Sequence, residues 1–177
     1  MRKLKNYSEV LMNNWSLIGH DPRPEQVDII DEILTAMDQG YKNIILEAGT
    51  GSGKSAIATT IAKMVEDSYI LTMTNQLQSQ YLDDFTYMLT EIKGRSNYPC
   101  NYQPTCEDCY MEELGEKRCK DCPYNIALQS ALSGPNIISN YDYLFYAGNY
   151  AEIFMPRDLL ILDETHNFEK KMMSLIR

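Results

Sequence analysis

Asn43-Ile44-Ile45-Leu46-Glu47-Ala48-Gly49-Thr50-Gly51-Ser52-Gly53-Lys54-Ser55 is the stretch that decides the fold class. A short apolar run ends in a glycine-rich loop, and small and apolar residues follow from Ser55 to about Val65. This is the order strand, loop, helix. Glycines let the backbone fold tightly so that successive N–H groups point at phosphate oxygens, and the helix N-terminus adds a favourable dipole. The ending Gly53-Lys54-Ser55 supplies an ammonium for the β- and γ-phosphates and a hydroxyl for Mg²⁺. Gly49, Thr50, Gly51, Ser52, Gly53, Lys54 and Ser55 are therefore the expected nucleotide cradle. Ala48 stands where the strict pattern has its first glycine. A glycine turn before an ordinary helix is the bland reading, and the strand–loop–helix context weighs against it.

Working outward, Val27, Ile30, Leu34 and Met37 recur at helical spacing between Pro24, which suits a first turn, and Gly40, which suits a left-handed stop. Tyr69-Ile70-Leu71, Ile137-Ile138 and Leu159-Leu160-Ile161-Leu162 read as buried strands. Leu77, Tyr81 and either Phe85 or Met88 mark a further helical face. Strands alternating with helices predict an α/β fold, a parallel sheet covered on both faces.

The strand at Leu159–Leu162 ends in Asp163-Glu164-Thr165-His166. In a phosphate-loop enzyme the strand-end Asp holds Mg²⁺, and a neighbouring Glu polarises the attacking water. Alone, two acids at a strand end are most often a solvated turn. Paired with Lys54, they read as catalytic. His166 fits a role coupling the nucleotide site to a neighbouring domain, against the commoner structural role of a loop histidine.

Residues 94–123 break the alternation and hold all five cysteines: Cys100, Cys106, Cys109, Cys119 and Cys122. Two Cys-x-x-Cys pairs in an intracellular chain point to metal rather than disulfides. Four thiolates suit tetrahedral Zn²⁺ or a [4Fe–4S] cluster. Spacing alone favours zinc on Cys106, Cys109, Cys119 and Cys122.

The 177 residues allow one sizeable domain. No apolar run is long enough for a bilayer, and Asn13, Asn14 and Trp15 interrupt any leader-like pattern after Arg2, Lys3 and Lys5. A cytoplasmic location without membrane attachment follows as the expectation. The net charge of −9 runs against a general nucleic-acid binder. Backbone amides and hydroxyls can still hold a phosphate backbone locally. Lys93, Arg95, Lys117, Arg118 and Lys120 form a basic cluster that Glu107, Asp108, Glu112, Glu113 and Glu116 dilute.

These motifs resemble the superfamily 2 helicases. Asp163-Glu164-Thr165-His166 is similar to their Asp-Glu-Ala-His box, with Thr at the third place, and Arg23-Pro24-Glu25-Gln26 resembles their glutamine motif. That resemblance implies that Gln26 reads the adenine edge, since an amide both donates and accepts. Lys93-Gly94-Arg95-Ser96-Asn97-Tyr98-Pro99-Cys100, Cys122-Pro123-Tyr124, Ser139-Asn140-Tyr141-Asp142-Tyr143-Leu144 and Asn167 resemble the XPD/DinG family of iron–sulfur DNA helicases. The similarity covers about residues 22–168.

What this resemblance implies is a RecA-like first motor domain. Residues 1–93 would form its first part, 94–123 a cysteine-rich iron–sulfur insertion, and 124–177 its second part, with no second RecA-like domain in the chain. The implied activity is ATP-driven 5′→3′ unwinding, with Lys54, Asp163, Glu164 and His166 in catalysis. Thr72, Thr74, Asn75 and Gln76 fall where the family contacts single-stranded DNA or a junction, against the plainer role of Thr74 or Asn75 as a helix cap. The cluster ligands would be Cys100, Cys122 and two of the three middle cysteines. Without a partner domain's arginines the chain is expected to bind ATP and Mg²⁺, hydrolyse slowly and not unwind. A nucleotide-gated binding module with structural zinc is the competing reading, and a phosphate-loop kinase the third.

Overall fold

The computed structural model describes Trp15 and residues 21–85, 87–107, 121–151 and 153–175. Helix α1 runs Pro24–Asp38, α2 Lys54–Met64 and α3 Asn75–Phe85. Strand β1 is Ser68–Thr72 and β2 Thr90–Glu91. Helix α4 is Pro123–Ser133, followed by β3 at Asn136–Asn140, α5 at Tyr141–Ala151, β4 at Leu159–Leu162 and α6 at Phe168–Leu175. Single 3-10 turns lie at Arg95–Asn97 and Thr165–Asn167.

The sheet has the order β2-β3-β1-β4, and every pairing is parallel. β1 lies inside it, with Ile70 opposite Ile138 on one side and Ile161 on the other. All five residues of β1 and of β3 are buried, the signature of strands covered on both faces. Side chains alternate across a strand, so neighbours in sequence serve different cores. Ile70 and Ile138 join Ile30, Ile57, Ile61, Tyr81 and Phe85 beneath α1, α2 and α3. Tyr69, Leu71 and Ile137 join Tyr124, Leu128 and Tyr141 beneath α4 and α5. The predicted α/β layering is thus present, with parallel strands between two helical layers.

One expectation fails here. Residues 43–46 form no ladder with any described strand, and Ile45 is 91% exposed. An apolar run becomes a strand only where a neighbour takes its backbone hydrogen bonds. β4 is an edge strand, and Leu160 on it is half exposed. The irregular cysteine segment gives way to α4 at Pro123, where a proline fits the first turn. Of that segment, residues 108–120, including Cys109 and Cys119, lie outside the described residues. No described helix is long and apolar enough to cross a membrane.

Because Ile70 is fully buried against both neighbouring strands and the α2/α3 layer, Ile70→Ala is expected to cost about 2–5 kcal/mol. Urea denaturation checks this, and a loss below about 1 kcal/mol would contradict the central placement of β1.

Candidate functional site

The carboxyl ends of β1, β3 and β4 lie side by side because the strands are parallel. Ligands of open α/β sheets gather at that end. The main chain extends the β1–β4 ladder one step further, since Asp163 N–H donates to Leu71 O at 2.9 Å. The acid is thereby fixed to the sheet.

The phosphate loop is held from α1. Gln26 is buried at 4% exposure, and both ends of its amide are engaged. Its Oε1 accepts from Arg23 N–H at 2.8 Å, and its Nε2 donates to Ser52 O at 2.9 Å. Arg23 Nη2 donates to Gly51 O at 2.9 Å. Gln26 thus joins the α1 N-terminus to the loop and shapes the cradle. Gly53 answers to the same contact. Its φ is +84°, and a Cβ there would stand 2.1 Å from Gln26 Nε2.

Lys54 Nζ donates to Ala48 O and Gly49 O, each at 3.0 Å, so the ammonium rests inside its own loop. The Ser52 hydroxyl is buried with no partner. An orphaned donor beside a parked ammonium is the arrangement of a cradle for an oxyanion.

Asp163 faces this loop closely enough for Lys54 to lower its pKa. Burial is the largest influence and outweighs that, with the net result that the carboxyl pKa is raised. The hydroxyl of Tyr81 donates to Asp163 Oδ2 at 3.2 Å, and Glu164 N–H donates to Oδ1 at 3.0 Å. Glu164 takes φ +55°, a left-handed conformation rare for a non-glycine residue and often found at functional sites. His166 Nδ1 stands 3.2 Å from Glu164 Oε2, and its Nε2 lies 2.6 Å from Asn167 Nδ2. Lys54 therefore lies near Asp163, and Ser55 lies near the Tyr81 hydroxyl that bonds the same carboxyl. Glu164 and His166 follow on the exposed turn beyond it.

The expected strand-contacting residues separate. Thr72 is fully buried, and its hydroxyl donates to Thr74 O at 3.1 Å, which removes it from the surface. Thr74 Oγ1 accepts from Leu77 N–H at 3.2 Å and caps α3, and Thr74 and Gln76 are exposed. Asn75 bonds Asn97 at 2.9 Å and accepts from Asn140. Loops from three places along the chain are thus joined by side-chain amides.

The thiols of Cys100, Cys106 and Cys122 also converge. Cys122 Sγ lies 3.9 Å from Cys106 Sγ, whose own thiol lies 3.3 Å from Pro99 O. Burial and the Cys122 side chain push Cys106 up to about 11, whereas the Tyr102 N–H lowers Cys100. Among the described residues no group of three or more Cys, His, Asp or Glu side chains has a metal-holding arrangement. The three described thiols pack beside Tyr124 and Tyr141, and Cys109 and Cys119 lie outside the described residues.

Residues 19–177 match the family described as "Type III restriction enzyme, res subunit". The chain belongs to that family. With it comes membership of the superfamily 2 helicase-type ATP-binding domains. The chain is also 24% identical, over 159 residues, to UvrABC system protein B of Lactobacillus acidophilus. That alignment takes in 84% of this chain and 23% of the relative, so the chain spans about a quarter of that protein's length. Neither match reaches the narrower iron–sulfur helicases. In this res-subunit family member, motif reading quoted Tyr141 without giving it a role and passed over the contact of Tyr81 with Asp163. Tyr81 registered only as one of several apolar positions on a helical face.

A raised Asp163 pKa means that this group stabilises the fold in its protonated form, and the contribution is lost as pH rises through the carboxylate range. Asp163→Asn is therefore expected to raise the Tm of the nucleotide-free protein at neutral pH. The gain should shrink as the pH falls below that range. Gly53→Ala is expected to lose about 1–3 kcal/mol through its left-handed φ and the displaced Gln26 amide. Thermal melts of both variants across pH check the two signs.

Proposed function

We propose that this chain is the ATP-binding first half of a DNA-translocating motor, whose complete activity is ATP-driven 5′→3′ unwinding. One observation carries the nucleotide half of the reading: Lys54 lies near Asp163 at the carboxyl end of a parallel sheet, with Ser55 near the Tyr81 hydroxyl that bonds the same carboxyl, beside a loop that Gln26 holds in shape. The membership in helicase-type domains and the exposed Thr74 and Gln76 at the start of α3 support the DNA half.

The chemistry follows from the residues. Loop amides from Gly49 to Ser55 and the Lys54 ammonium would receive the phosphates, the ammonium leaving the Ala48 and Gly49 carbonyls. The hydroxyl of Ser55 and the carboxylate of Asp163 are hard oxygen donors and fit Mg²⁺. That ion, when bound, neutralises charge developing on the transferred phosphoryl group. Glu164 is proposed as the base that orients water, with His166 held against it at 3.2 Å. A second motor domain would supply the arginine that completes hydrolysis.

For the cysteine segment the proposal is a [4Fe–4S] cluster held by Cys100, Cys122, Cys106 and one of Cys109 or Cys119. The convergence of the three described thiols fits a thiolate-bound group, and the surrounding motif residues support the iron–sulfur form. Such a cluster would tie the segment into a rigid element. A zinc site is the second reading, favoured by one distance. Thiolates around zinc, at Zn–S of about 2.3 Å, stand about 3.8 Å apart, close to the Cys106–Cys122 separation of 3.9 Å.

Calorimetry with Mg²⁺–ATP tests the nucleotide site. Lys54→Ala is expected to weaken binding by more than about tenfold, and equal binding would remove the site. Metal and acid-labile sulfide analysis of anaerobically purified protein tests the thiols. Near-equal iron and sulfide supports the cluster, and zinc without sulfide replaces it.

A further inference from the structure

We propose that Tyr81, with Tyr141 beside it, is a positioning residue that ties the strand-contacting start of α3 to the two side chains that hold magnesium. This inference rests on the nucleotide and strand reading given above and assigns its coupling element.

Tyr81 is only 3% exposed and packs against Phe85 inside the core beneath α2 and α3. A phenylalanine would fill that space. Burying a hydroxyl there is costly unless it is hydrogen-bonded, so its partners show what it is for. The one it bonds is Asp163 Oδ2 at 3.2 Å, and the hydroxyl of Ser55 lies close enough to act on it. A phenol has one proton and can also accept. It donates to the carboxylate, with the Ser55 hydroxyl beside it. The same phenol therefore stands against both proposed magnesium ligands, although they come from different elements.

Tyr141 secures the other side of the acid. It is fully buried, and its hydroxyl donates to Asp163 O at 2.8 Å. It opens α5 directly after Asn140, whose amide donates to Asn75 at the start of α3. Asn140 Oδ1 in turn accepts from Tyr143 N–H at 2.8 Å and so caps α5. The starts of α3 and α5 are thus bonded to each other, and each helix carries a tyrosine to Asp163. Along α3, Asn75 and Tyr81 are six residues apart, about 9 Å of helix at 1.5 Å per residue. A strand seated on Thr74, Asn75 and Gln76 displaces the start of a rigid rod whose inner side chain touches the metal ligands. That is a contiguous physical route between two sites.

The test uses the 177-residue chain with Tyr81→Phe, and ATP affinity is measured by calorimetry with and without Mg²⁺ and with and without an oligothymidylate. The phenylalanine keeps the ring and its packing. Expected are an unchanged metal-free ATP affinity, a gain from Mg²⁺ smaller than wild type by at least about fivefold, and loss of the oligothymidylate effect on Mg²⁺–ATP binding. Tyr141→Phe, measured in the same way, is expected to lose the oligothymidylate effect, and it stands in if Tyr81→Phe fails to fold. Wild-type values for both the Mg²⁺ gain and the oligothymidylate effect in the variants overturn the coupling role and leave the nucleotide site intact. A wild-type chain that gains nothing from Mg²⁺ overturns the site itself and this inference with it.

Discussion

β1 is hydrogen-bonded on both sides, to β3 and to β4, and its five side chains are buried. A strand in that position cannot shift without breaking two ladders and exposing two cores. The acid and the start of α3 are placed by its carboxyl end. Asp163 continues the ladder through its N–H to Leu71, and Thr74 caps the helix that leaves β1. Asn140 ends the neighbouring strand and bonds to the start of that helix. The geometry of the site is therefore inherited from one set of backbone hydrogen bonds, and side chains refine it.

That refinement runs through a few buried polar residues with every reason to be where they are. Gln26 uses both ends of one amide to join α1 to the phosphate loop. Gln78, fully buried in α3, donates to Ile92 O and Ile138 O and binds that helix to the far side of the sheet. Ser139 donates to the same Ile92 carbonyl at 2.8 Å. Such bonds in a low-dielectric interior favour one arrangement, because losing them strands a buried donor or acceptor, although Gln78 Oε1 itself has no partner. Burial raises the pKa of Asp163, so the fold by itself favours the neutral form of this carboxyl.

Much of this was legible in the sequence, and for identifiable reasons. The β1, β3 and β4 strands were apolar runs bounded by turns, and α1 to α3 carried helical periodicity. Gly53-Lys54-Ser55 and Asp163-Glu164 were local signals of nucleotide chemistry, and the chain's membership in the res-subunit family agrees with them. What stayed hidden depended on tertiary partners. Residues 43–46 have strand composition, yet strand formation is a property of pairs, and no described strand pairs with them. Gln26 also holds the phosphate loop, and only the three-dimensional structure shows its contact with Ser52. Thr72 looked available, but its place inside the β1 ladder buries it. Tyr81 and Tyr141 lie 82 and 22 residues from Asp163 in sequence, so no spacing rule could have joined them.

The most direct test of the central claim is a crystal structure of the chain with a non-hydrolysable ATP analogue and Mn²⁺ in place of Mg²⁺. The account predicts an anomalous manganese peak between the Ser55 hydroxyl and the Asp163 carboxylate, with the phosphates on the Gly49–Ser55 amides and Lys54 turned from its own loop toward them. Manganese bound elsewhere, or phosphates away from that loop, would contradict it.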